Sequence, residues 1–265
     1  YINEQFKGFF DSLKENSYQT LFLDSTKDLN TYLIKEVFKK RKEHIFVVAE
    51  NIYNAQKVYD SLAAEFEEDV VNFFPADEMV SVEMLAASNE FRTARLQTIV
   101  DLVQGKRKII VTHTLGYLRK EAPIEKWRKF SFDIKVQDII DKNEFVKQLF
   151  DMGYKREYQV EKAGDFSVRG FIVDVFPMTD EQPVRIEFFD DEIDSIRNFD
   201  IITQRTTNTV EKAKIYPMYE LFFTEEERAH LIETIRTKDL TDKLKLDIEA
   251  LESNNDLDRL HKYMQ

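Results

Sequence analysis

Short apolar runs alternate with amphipathic segments along the first half of the chain. Thr20-Leu21-Phe22-Leu23, Ile45-Phe46-Val47-Val48-Ala49, Val70-Val71-Asn72-Phe73-Phe74 and Ile109-Ile110-Val111-Thr112 read as buried strands. Between them apolar positions recur at helical spacing. Leu29, Leu33, Ile34, Val37 and Phe38 follow the cap candidates Asp24, Ser25 and Thr26; Ile52 to Phe66 and Phe91 to Val103 follow in turn, and Gly105 ends the last. Strands alternating with helices imply βαβ units and a parallel sheet covered on both faces, a Rossmann-like or RecA-like layer.

The pattern changes near Ser131. Phe132 to Val136 alternates as a strand and Asn143 to Met152 as one short helix. Closely spaced strand signals follow at Tyr158–Lys162, Phe166–Phe176, Val184–Phe189 and Ile193–Phe199, punctuated by Gly164, Gly170, Pro177 and Pro183. This predicts an inserted, antiparallel α+β domain. After Ile215-Tyr216-Pro217 the helical period returns, with Thr224-Glu225-Glu226-Glu227 as a capping-box start and a long charged helix or helix pair through Ile248. The reading divides the chain into a first α/β part (1–130), an inserted domain (131–212) and a helical return to the first domain (213–265).

Composition narrows the chemistry. Apolar residues make up 43% of 265, enough for a real core, and charged residues 33%, interspersed as on a solvated surface. The formal net charge of −12 speaks against nucleic acid as the chief partner. The absence of cysteine removes disulfides and thiolate zinc sites, which is compatible with a reducing cytoplasm. No apolar run approaches the length of a membrane helix, and no signal peptide is visible. The chain begins at Tyr1 rather than Met, as expected of a piece of something longer.

Nucleotide chemistry finds little footing. No two of the six glycines stand five apart, and Asp24-Ser25-Thr26-Lys27-Asp28, where a phosphate loop would sit, has no glycine and two carboxylates. His44, His113, His230 and His261 show no metal spacing; His113, at a strand's carboxyl end, reads as structural. The carboxylate runs 67–69, 190–192 and 225–227 read as solvated turns and helix starts. The basic clusters Lys39-Lys40-Arg41-Lys42 and Lys106-Arg107-Lys108 would be needed for DNA binding and read as solvated turns. The richest segment is 153–177, which interleaves Tyr154, Tyr158, Phe166, Phe171 and Phe176 with Arg156 and Arg169; Arg and Tyr are enriched among interface anchors. Read as one strand from Phe166, it places Arg169 on the face of Phe171, Val173 and Val175, opposite Val168, Ile172 and Asp174, unless Gly170 makes a bulge.

Gly-Asp-Phe-Ser-Val-Arg-Gly-Phe-Ile-Val-Asp-Val-Phe-Pro (164–177) resembles a motif shared by the excision-repair protein UvrB and the transcription-repair coupling factor (Mfd) family. Residues 184–197, Phe199-Asp200, Thr203-Gln204-Arg205, Ile215-Tyr216-Pro217 and Phe223-Thr224-Glu225-Glu226 continue it. The missing phosphate loop, and a segment from Phe74 to Arg92 too short for UvrB's DNA-wedging hairpin, bring the chain nearer the coupling factors. The resemblance implies a RecA-like sheet domain that has lost its P-loop and its ATPase chemistry, with the inserted α+β domain as the docking surface for UvrA. It assigns UvrA contacts to Arg156 and Arg169, with Tyr154 and Phe176 beside them, and places Ser167 where UvrB has a further arginine. It implies a non-catalytic adaptor without a cofactor of its own. ATP with magnesium, RNA polymerase and DNA would belong to the rest of a parent translocase, whose C-terminal domain would mask the same surface. The alternatives are a UvrB-type or helicase-type ATPase with a cryptic nucleotide site, and a DNA-binding module.

Overall fold

A computed structural model describes residues 26–76, 85–238 and 241–254, with positions 7, 257 and 260. The strand expected at Thr20–Leu23, the caps Asp24 and Ser25, and residues 77–84 of the short segment after Phe74 lie outside the described residues. The chain is mixed α/β and divides into two compact units, 1–118 and 119–265.

The first unit runs α1 (Lys27–Lys40), β1 (Ile45–Ala49), α2 (Ile52–Ala63), β2 (Val71–Phe74), α3 (Leu85–Val103), β3 (Ile109–His113) and α4 (Thr114–Leu118). Thr26 and Asn51 cap α1 and α2 by accepting from the amides of Leu29 and Asn54. The described strands form a parallel sheet in the order β1-β3-β2, with Ile109 in register with both Ile45 and Val71. Parallel pairing demands long crossovers, which α2 and α3 supply, and a central strand apolar on both faces. β3 meets that demand: all five of its residues are buried. Ala55, Leu62 and Phe38 pack with Ile109 and Val111 on one side.

The second unit runs α5 (Ile124–Phe130), β4 (Phe132–Lys135), α6 (Lys142–Asp151), β5 (Lys155–Arg156), β6 (Asp165–Arg169), β7 (Ile172–Val175), β8 (Val184–Phe189), β9 (Glu192–Phe199), β10 (Thr206–Val210), β11 (Lys212–Ile215), α7 (Glu225–Arg236) and α8 (Asp242–Ser253). Six strands form one sheet in the order β10-β9-β8-β7-β6-β5, antiparallel throughout except for the parallel β5–β6 pair; β11 and β4 form a separate ribbon. Phe145 of α6 seats its ring between Phe132 and Phe188, at 4.4 and 5.7 Å.

Two differences from the sequence reading stand out. The stretch 158–162 is irregular rather than a strand: the Asp165 carboxylate accepts from the amides of Glu161 and Lys162, so those donors are satisfied by a turn, not a ladder. The contacts also group residues differently from the boundaries at 130 and 212. Trp127 and Phe130 pack on Phe222 at 5.1 and 5.0 Å, and Arg228 of α7 donates to Asp151 of α6 at 2.8 Å. By these contacts residues 119–130 and 213–254 group with the second compact unit. No described helix is long and apolar enough to cross a membrane.

Candidate docking surface

The segment around Arg169 is a hairpin rather than a single strand. Gly170 has φ +60°, a left-handed conformation that glycine adopts without steric cost, and the chain turns over Gly170 and Phe171 so that Arg169 pairs with Ile172. The turn reverses the expected faces. Arg169 shares its face with Ile172 and Asp174, not with Val173 and Val175, which lie in the buried apolar layer.

That face carries a polar row across the sheet: Ser167 opposite Asp174, Asp174 opposite Arg185, Arg185 opposite Arg197. Asp174 is 1% exposed. Its Oδ1 accepts from Arg185 Nε at 2.8 Å and its Oδ2 from Arg185 Nη2 at 2.9 Å, a bidentate pair. Oδ2 also accepts from Arg169 Nη2 at 2.6 Å. Arg185 is itself confined, its guanidinium 4.7 Å from the Phe199 ring centre and its Nη1 donating to the Gln204 carbonyl at 3.2 Å. The hydrogen bond to Asp174 raises Arg185 further above its already high ordinary pKa. The Arg169 side chain stays 48% exposed. Ser167, standing where the resemblance puts another arginine, is buried, with no hydrogen-bond partner for its Oγ among the described residues.

Arg156 lies on β5, the edge strand, in register with Phe166. It is exposed, and its guanidinium has no ion-pair partner among the described residues. Phe166 and Arg169 are three residues apart on β6, so the two arginines leave this edge on opposite faces. Tyr154 belongs to the interior instead. It is 2% exposed, and its hydroxyl donates to the Tyr216 carbonyl at 2.8 Å. Burial, reinforced by the charge of Asp180, pushes that hydroxyl's pKa up. Its ring is not on the surface. Phe176 is half-buried, its amide donating to the Asp165 carbonyl at 3.0 Å. Tyr158 and Phe171, 92% and 64% exposed, are the aromatics that do face solvent. Asp174 and Arg185 were not singled out from the sequence; the available signal was an aspartate inside the apolar run Ile172-Val173-Asp174-Val175.

In the first unit the basic cluster 106–108 makes contacts within the protein. Lys106 and Lys108 pair with Asp101 at 2.9 and 3.0 Å, and Arg107 stacks 3.8 Å from the Phe38 ring centre and donates to the Arg41 carbonyl. His113 is fully buried, its Nε2 3.0 Å from the Ala76 amide and 3.1 Å from the Ala76 carbonyl. Thr26 caps α1 where a phosphate loop would lie. No group of three His, Asp or Glu among the described residues could hold a metal ion.

Fold and surface together define a two-unit α/β protein whose second unit exposes Arg156, Tyr158, Arg169 and Phe171 at and beside strands β5 to β7 of its six-stranded sheet. Residues 132–221 match the family described as the UvrB interaction domain. The chain is 34% identical over 233 residues to the transcription-repair-coupling factor of Bacillus subtilis (strain 168), a match covering 88% of this chain and 20% of that protein. It is 34% identical over 205 residues to the transcription-repair-coupling factor of Staphylococcus aureus (strain USA300), covering 77% of this chain and 18% of that one. It thus spans about a fifth of the length of the curated relatives it matches.

Proposed function

We propose that this chain is the UvrB-like adaptor module of a transcription-repair coupling protein. Its second unit docks UvrA, and the first is a RecA-like sheet without nucleotide chemistry. The observation that carries the reading is the coincidence of the UvrB interaction domain match with exposed arginines at the two positions where the family motif places contacts, Arg156 and Arg169. A guanidinium suits an anchor: it stays charged when partly desolvated and offers a planar fork of donors to carboxylate or carbonyl oxygens. Polymerase contact and ATP-driven movement on DNA would reside in the remaining length of the parent.

Calorimetric titration of the chain with UvrA tests this. The parent chain binds, and Arg156→Ala and Arg169→Ala each weaken binding by about 2 kcal/mol, roughly thirtyfold, with unchanged circular dichroism. No binding by the parent chain, or full affinity in both variants, rejects the reading. Hydrolysis of ATP by the isolated chain would favour an ATPase instead.

A further inference from the structure

Arg169 does not wait on the surface as a free side chain. One of its nitrogens is held by a carboxylate that is itself buried, and that carboxylate is held from the other side by a second arginine through both of its oxygens. The chain Arg185–Asp174–Arg169 crosses three neighbouring strands, so its geometry is set by the sheet register rather than by side-chain preference. Arg185 is the fixed end, clamped by Phe199 and the Gln204 carbonyl. Arg169 is the open end, with donors beyond the Asp174 bond on a side chain 48% exposed.

We propose that Asp174, locked by Arg185, is a positioning residue that pre-sets the Arg169 guanidinium for docking. This rests on the UvrA-docking reading and adds residues that touch no partner atom. The physical gain is entropic. A free arginine loses rotamer freedom when it is immobilised at an interface, whereas one already held in a single arrangement has less to lose. The same carboxylate also satisfies the buried Arg185, so a purely structural role is the competing account, and the test must separate the two.

A double-mutant cycle does so. UvrA affinity is measured for the parent chain, Asp174→Asn, Arg169→Ala and the double variant. A positioning role predicts a loss of about twofold to tenfold for Asp174→Asn in the parent and no further loss when Arg169 is already alanine. An equal loss in both backgrounds makes Asp174 merely structural and overturns the proposal. So does unchanged or tighter binding by Asp174→Asn, the result expected if the carboxylate only screened the guanidinium charge. If Arg169→Ala itself binds like the parent, it is the placement of the docking contact that fails, and the proposal falls with it. Should Asp174→Asn unfold, Asp174→Glu replaces it, keeping a charge for Arg185 while displacing the oxygens that hold Arg169; the same pattern across backgrounds decides.

Discussion

Tyr154 and Arg156 stand two residues apart and meet different surroundings. The phenol ring is enclosed and its hydroxyl is spent on Tyr216, while the guanidinium reaches solvent from the edge strand. Tyr154→Phe therefore removes a buried hydrogen bond, lowering unfolding free energy by about 1 kcal/mol. Urea unfolding should show that loss while UvrA affinity stays at the parent value; a thirtyfold fall in affinity with unchanged stability would return Tyr154 to the docking surface. Residue types in this segment were readable from the sequence. Which ones were enclosed was not. Arg169 changed faces because the chain turns at Gly170, and a two-residue turn leaves the same apolar composition as an unbroken strand.

Among the elements, those with a strong period were legible to within a few residues: α1, α2, α6, and the strands β1, β2, β3 and β8. The capping box was legible from four letters, and α7 starts there. Glu227 donates its amide to Thr224 Oγ1 at 3.1 Å, and the Thr224 amide donates to Glu227 Oε2 at 2.9 Å. Thr224→Ala should cost about 1 kcal/mol in urea unfolding, and Thr224→Ser should recover most of it; equal stability of all three proteins would show that the cap contributes nothing here. Other elements left little trace. β10 reads Thr-Thr-Asn-Thr-Val with four exposed residues, so no apolar alternation announces it, and only its pairing with β9 makes it a strand. β5 has two residues, both exposed, and exists through its parallel pairing with β6.

For the molecule as a whole, the division into units depended on contacts between distant segments. Arg228 reaches Asp151 across 77 positions of sequence, and Phe222 meets Trp127 across an even longer separation. The first unit has an analogous long-range anchor in Asp101, fully buried beneath Asn72, Lys106 and Lys108. Burial pushes its carboxyl up, but the hydrogen bonds from those three residues together outweigh burial and hold it below the ordinary 3.8. A depressed folded value means the group binds a proton more readily once unfolded. Its contribution is therefore complete above pH 3.8 and is lost as pH falls through the lower folded value. Between pH 7 and pH 3 the parent should lose more stability than Asp101→Asn, itself about 3–5 kcal/mol less stable at neutral pH; parallel curves for the two proteins would remove Asp101 from the account.

The sequence by itself determined the alternation of strand and helix in the first unit, the antiparallel insert and the missing phosphate loop. Each of these is encoded in neighbouring residues, through period, turn residues or a local motif. The hairpin face of Arg169, the burial of Tyr154, the Asp174 clamp and the placement of the C-terminal helices were decided only in three dimensions. Each depends on which distant strand or helix supplies the partner, and register across a sheet is a property of two segments that neither carries alone.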